Sequence, residues 1–215
     1  SGAGTQTLFG ANTYTGGTTI SAGTLNLANT SGSAFGTGSV TVESGAFLTG
    51  TGSFTGALTV NAGGTLAPGN SPGLMTIGSG SVFHGTVALQ IGGLSRGVDY
   101  DAINIGGVGE ITFGGTLALS LFNGFAPAPG ESFELFNFRI GGGRFDALDL
   151  PPLSAGLTWD ASGLYSNGTL TVAGTAIPEP CSFALALGLC ALAAWVVARH
   201  RSCSRIQSCR QAQEP

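Results

Sequence analysis

The chain has no lysine, and charged residues fill only 8% of its 215 positions. Residues 1–180 carry ten acids and three arginines, a net −7, while residues 181–215 carry four arginines and one glutamate, a net +3. Three scattered arginines argue against a nucleic-acid surface, which needs clustered cations to neutralise phosphate. No cysteine precedes Cys181. Residues 1–180 therefore hold neither a disulfide framework nor a thiolate metal site. His84 is the one histidine before His200, so a multi-histidine metal site lacks its parts. Strong helix formers such as Glu, Gln and Arg are scarce before residue 175, which argues against a helical fold there.

What is present is glycine. All of the 38 glycines except Gly188 fall in residues 1–175, a density several times the usual ~7%. The glycines punctuate a repeated pattern. Thr18–Leu25, Val40–Phe47, Leu58–Leu66 and Met75–Phe83 share a pattern of apolar (Thr18 in the first), Thr, β-branched, two small or polar residues, Gly, then apolar again. Aligned on this pattern, Ile20, Val42, Val60 and Ile77 recur at a nearly even period, of the length that one coil of a repeat array takes. Alternation at period two marks short strands with one buried face. Glycine between two such strands supplies a bend that other residues reach only with strain. Short strands at this period make coils of a solenoid, and stacked coils bury what one coil cannot. A meander of hairpins in a sandwich is the competing reading; Asn-Gly or Asp-Gly turns would favour it, and residues 1–90 contain neither.

Residues 85–175 loosen this spacing. Strand-like runs fall at Thr86–Ile91, Ala102–Ile105, Thr116–Phe122, Ser132–Phe138 and Gly168–Val172, and proline loops appear at Pro127, Pro129, Pro151 and Pro152. This stretch reads as a β-rich terminal module that covers the open end of residues 1–84, since an uncovered end strand invites pairing with other chains.

Candidate chemistry is sparse. Asp99 and Asp101 are two apart and share a face if they lie on a strand. Like charges so placed favour a cation between them, and calcium takes oxygen ligands. No Asp/Asn-rich loop with the usual glycine spacing surrounds them, so a solvated loop competes with a calcium site. Glu131 with Glu134, and Asp146 with Asp149, are three apart, which puts each pair on opposite strand faces. Gly36-Thr37-Gly38 and Gly50-Thr51-Gly52 do not extend to a phosphate-binding loop. Tyr100, Trp159 and Tyr165 fit core burial better than sugar stacking. No catalytic residue and no cofactor is assigned.

The C-terminal stretch differs in kind. Pro178-Glu179-Pro180 precedes an apolar segment, 181–198, that has neither charge nor proline. As a helix this segment spans roughly 27 Å, close to the hydrocarbon thickness of a bilayer. Pro178 and Pro180 break the backbone pattern just before it. A buried core helix is the alternative, but such helices keep a polar face and this segment has none. Arg199, Arg201, Arg205 and Arg210 follow. An arginine-rich flank stays cytoplasmic, which predicts residues 1–180 outside and residues 199–215 inside. The spacing of Cys203 and Cys209 matches no zinc or thioredoxin motif. An exported domain needs a leader, and Ser1-Gly2-Ala3-Gly4 is not one; a signal peptide upstream is expected.

Two resemblances follow from these motifs. The order of Pro178-Glu179-Pro180, apolar segment, then Arg199 and Arg201 resembles the sorting tail of PEP-CTERM proteins, though here the sequence runs on past the arginines to Pro215. That resemblance implies recognition by an exosortase-type membrane peptidase, cleavage near the Pro-Glu-Pro box and association with exopolysaccharide. Gly10–Leu25 is similar to the autotransporter-associated β-strand repeat, which implies a right-handed parallel β-helix displayed on a bacterial surface. Together they predict an all-β protein: solenoid repeats over 1–84, a β-rich module over 85–175, a sorting box and linker at 176–180, a transmembrane helix at 181–198 and a basic tail at 199–215. The expected function is non-enzymatic, a cell-surface or matrix protein with structural or adhesive roles. Its expected partners are membrane lipid, the peptidase and exopolysaccharide, not nucleic acid. A polysaccharide-degrading β-helix enzyme and an unprocessed single-span membrane protein are the alternatives.

Overall fold

The computed structural model describes residues 2–69 and 72–174. All of the regular structure in these residues is β. The apolar segment 181–198, the Pro-Glu-Pro box and the arginines after it lie outside the described residues, and among the described residues no helix is long and apolar enough to cross a membrane.

Among the described residues nineteen strands form three stacked parallel faces and one antiparallel sheet. The first face stacks β1 (Thr5–Leu8), β3 (Gly23–Leu27), β5 (Ala46–Gly50), β7 (Thr65–Pro68), β10 (Thr86–Ile91), β13 (Thr116–Leu121) and β17 (Ala147–Asp149). The second stacks β2 (Thr18–Ile20), β4 (Val40–Val42), β6 (Leu58–Val60), β9 (Ser81–Phe83), β12 (Glu110–Phe113) and β16 (Ile140–Gly143). The third holds β8 (Leu74–Ile77), β11 (Ala102–Ile105) and β15 (Phe136–Asn137). Antiparallel pairing between strands joins β14 (Ser132–Glu134), β18 (Leu157–Asp160) and β19 (Thr169–Gly174). The backbone visits the second face, turns a tight corner to the first, crosses to the third and returns one coil on. That is the path of a parallel β-solenoid.

Side-chain alternation explains the stacking. On the first face Leu25, Leu48, Leu66, Val87 and Leu117 form one inward column, and the last four are fully buried. On the second, Ile20, Val42, Val60 and Phe83 form another. Each such side chain removed from water contributes about 1.5–3 kcal/mol. The residues between point outward: Thr19, Thr41, Thr59, Val82, Thr112 and Gly142 share one row. Threonine suits this row because its branched Cβ favours extended backbone and its hydroxyl stays in water. Corners between the second and first faces use glycine in the left-handed region, as at Gly45 with φ 77°, where an L side chain is strained.

One buried polar residue interrupts the inward columns. Ser81 pairs with Ile111 and is fully buried. Its Oγ accepts from the Leu58 backbone N–H at 3.0 Å and donates to the Gly78 carbonyl at 2.6 Å. Both capacities are used, so the burial costs little.

The fourth repeat has a different register from the sequence alignment. Val60 stacks on Phe83 and not on Ile77. Ile77 lies on the third face, opposite Ile105. The apolar-Thr-apolar signature occurs on two faces of one coil, so matching it along the sequence shifts the alignment by one side of the solenoid. Parallel stacking also continues across residue 85. Thr65, Thr86, Thr116 and Ala147 follow one another on the first face, and the coils lengthen after Thr86. The extra length enters as loops between the first and third faces, at 92–101 and 122–131. The antiparallel sheet adjoins the third face, where Leu135 and Phe136 donate backbone hydrogen bonds to the Gly168 carbonyl. Around it Phe113, Phe136, Phe145 and Tyr165 pack ring to ring at 5.2–6.3 Å.

Candidate functional site

Asp99 and Asp101 do not share a strand face. Asp99 sits in the turn that ends the 92–100 loop, and Asp101 lies just before β11. Asp99 Oδ2 accepts from the Ser95 backbone N–H at 3.0 Å. This hydrogen bonding to Ser95 lowers its pKa below the ordinary carboxylate value. Asp101 is 2% exposed. Its Oδ1 accepts from the Gly73 N–H at 2.7 Å and its Oδ2 from the Gln90 N–H at 2.8 Å. Burial pushes this carboxyl up to about 6, against the two hydrogen bonds that favour the charged form. Each carboxylate thus serves backbone donors of its own, where a calcium site needs oxygens that converge. Among the described residues no group of three or more His, Cys, Asp or Glu is placed to hold a metal ion.

Three further acids also accept hydrogen bonds from neighbouring residues or coils. Glu131 accepts from the Ala128 N–H, Glu134 from Asn137, and Asp146 from the Gly115 N–H, each at 2.9 Å. His84 is exposed at the corner between β9 and β10. Arg96 ties the 92–100 loop to the third face: its guanidinium donates to the Glu134 carbonyl at 2.8 Å, the Asn104 side chain at 2.9 Å and the Ile103 carbonyl at 3.3 Å. The sequence shows Arg96 only as an isolated cation, because its partners come from other strands.

Beside Asp101 the outer surface of the first face is recessed. A cleft of about 420 Å³ runs across coils there, with Ala67, Ala88 and Ala118 as its floor and Gln90, Ser120 and Asp149 among its walls. The floor follows from register: Thr49 pairs with Ala67, and Ala88 with Ala118, so short side chains line up where neighbouring rows carry longer ones. The cleft presents hydroxyl, amide and carboxylate groups beside an apolar strip. The alternation in Thr86–Ile91 and Thr116–Leu121 makes these strands legible in the sequence; their shared row of alanines depends on cross-coil register.

Residues 1–27 match the passenger-associated-transport-repeat family. The matched segment covers β1, β2 and β3 and thus the first turn of stacking between β1 and β3. Over that segment the protein is therefore similar to the repeats of autotransporter-type β-solenoids. None of the curated proteins matches this sequence.

Proposed function

We propose that this protein is an exported β-solenoid of a bacterial cell envelope, passenger-like, with a structural or adhesive role and no catalytic one. The observation that supports the reading is the passenger-associated repeat over residues 1–27, folded as part of a parallel stack. The finer reading rests on sequence. Pro178-Glu179-Pro180 is the sorting box for an exosortase-type peptidase, residues 181–198 hold the precursor in the membrane, and Arg199 and Arg201 keep its end cytoplasmic. Exopolysaccharide is the proposed partner, and the alanine-floored cleft on the first face is its candidate seat. The exposed Asp149 carboxylate, with no cation lining that cleft, favours a neutral or amino-sugar polymer over an acidic one.

Cell fractionation combined with the mass of the mature protein tests the reading. An ectodomain outside the inner membrane, truncated near Pro178–Pro180, is the expected result. An envelope protein with an intact tail removes the sorting step and leaves an anchor. A native product found wholly in the cytosol, tail intact, overturns the proposal. For the glycan partner, the mature protein is passed over the host's own immobilised polysaccharide, and absence of retention removes that part alone.

A further inference from the structure

The sequence contains two Asn-Gly pairs, Asn123-Gly124 and Asn167-Gly168, and the fold treats them oppositely. Asn123 has φ 51° and Gly124 φ 70°, and the Phe125 N–H donates to the Phe122 carbonyl at 3.0 Å. This is a two-residue turn with both central residues left-handed. Asn123 is the one non-glycine residue with positive φ among the described residues. Phe122 N–H is tied to the Ile91 carbonyl at 2.8 Å, and Phe125 packs edge-on against Phe133 at 6.2 Å. The anchors thus lie on either side, and the two turn residues project into solvent as exposed positions. A Cβ added at Gly124 would meet no heavy atom within 4 Å. Among the described residues the Asn123 carboxamide makes no hydrogen bond.

Asn167 is held. Its Oδ1 accepts from the Thr169 N–H at 3.2 Å, and its own N–H donates to the Gly163 carbonyl at 3.0 Å. Gly168 is buried, with its carbonyl accepting from Leu135 at 2.9 Å and Phe136 at 3.2 Å.

We propose that Asn123-Gly124 is a self-modifying turn. The Gly124 backbone nitrogen attacks Cγ of Asn123. The new bond closes a five-membered succinimide while the bond from Cγ to Nδ2 breaks, and the departing amide nitrogen leaves as ammonia with the proton that Gly124 gives up. Water then adds across either imide C–N bond and yields aspartate or isoaspartate at position 123. The reaction needs rotation of the Asn123–Gly124 peptide unit onto the carboxamide, and the open space around Gly124 leaves that rotation unopposed. At Asn167 the same rotation breaks hydrogen bonds and moves a buried glycine. The product places a carboxylate, or a carboxylate and one extra backbone methylene, where the backbone leaves β13 for the antiparallel sheet. Removal of the Gly124 amide proton is base-assisted, so the conversion quickens as pH rises.

The full-length protein, incubated folded at neutral and at mildly alkaline pH, is digested at intervals and its peptides weighed. The expected result is conversion of the Asn123 peptide at least about ten-fold faster than the Asn167 peptide, the factor that about 1.4 kcal/mol of protection supplies. In a denaturing concentration of urea the two rates are expected to converge. Equal rates in the folded protein, a faster Asn167, or no conversion at Asn123 overturns the proposal. The Asn123→Gln variant is expected to lose the acidic species that accumulates on isoelectric focusing of the wild type, and its persistence also counts against the site.

Discussion

The Asp101 carboxylate accepts a hydrogen bond from the Gly73 N–H at 2.7 Å, far away in sequence. Its second oxygen receives the Gln90 N–H, so one buried side chain joins the entry to the third face on one coil with the first face and the next coil. Asp101→Asn turns one acceptor oxygen into an NH₂ donor that faces a backbone N–H. The expected cost is about 1–3 kcal/mol, that of leaving a buried donor unsatisfied, read as a lower urea midpoint with unchanged slope.

The same carboxyl predicts a pH dependence. Its folded value is about 6, above the ordinary unfolded value near 3.9. Between these two values the folded protein binds more protons than the unfolded polypeptide, so stability falls as pH rises. The contribution is fully present below about pH 4 and lost as pH climbs through about 6; from pH 5 to pH 7 the loss is about 1.4 kcal/mol. Urea unfolding of wild type and Asp101→Asn at both pH values isolates it. If the wild type and the variant change by the same amount between pH 5 and 7, Asp101 is not the group responsible.

Ser81 carries the second prediction on buried polarity. Ser81→Ala removes the acceptor for Leu58 N–H and the donor to Gly78 carbonyl. A buried, unpaired backbone group costs about 1–3 kcal/mol. The outward Thr41→Ala, on the same face, is expected to fall within about 0.5 kcal/mol of wild type. If Ser81→Ala matches Thr41→Ala in thermal midpoint, Ser81 is not holding the Leu58 backbone.

Leu66 tests the stack itself. It is fully buried in the middle of the first-face column between Leu48 and Val87. Leu66→Ala is expected to cost about 2–5 kcal/mol through lost transfer energy and a residual cavity. Because each coil of a solenoid contacts mainly its neighbours, amide exchange in the coils on both sides of Leu66 is expected to accelerate more than that near Leu117. Uniform acceleration throughout the protein contradicts a stack held coil by coil.

Strong alternation is readable in the sequence alone. Thr86–Ile91 and Ala102–Ile105 have the same bounds in sequence and in structure, because every second residue is apolar and turns flank both. Ile77 misaligns for a physical reason, since the second and third faces bury the same kind of tripeptide. Ile140–Gly143 carries no pattern at all: three glycines have no side chains to alternate, and the strand exists because β12 offers it a template. Glu110–Phe113 and Ala147–Asp149 are hidden for a related reason, being short and bordered by glycine or charge. The burial of Asp101 depends on Gly73 and Gln90 arriving from other sides of the coil, which no local window contains. Asn123-Gly124 does signal locally, and it stands where the backbone leaves its last long parallel strand for antiparallel pairing.

Gly168 joins the antiparallel sheet to the last coils, and it tests that joint. Its φ is 75°, and a Cβ there would collide with the Phe136 carbonyl. Gly156 has a similar φ of 84°, yet a Cβ there meets nothing within 4 Å. Both alanine variants carry the left-handed penalty of about 1–2 kcal/mol; only Gly168→Ala adds the collision and displaces the carbonyl that Leu135 and Phe136 use. A domain of this size loses about 2–4 °C of thermal midpoint per kcal/mol. Gly156→Ala is therefore expected to fall by a few degrees and Gly168→Ala by clearly more. Near-ultraviolet circular dichroism from Trp159 in β18 is expected to weaken in the second variant alone, as the antiparallel sheet detaches. Equal shifts in both variants mean that the joint tolerates a methyl group and that Gly168 is present for its backbone angle only.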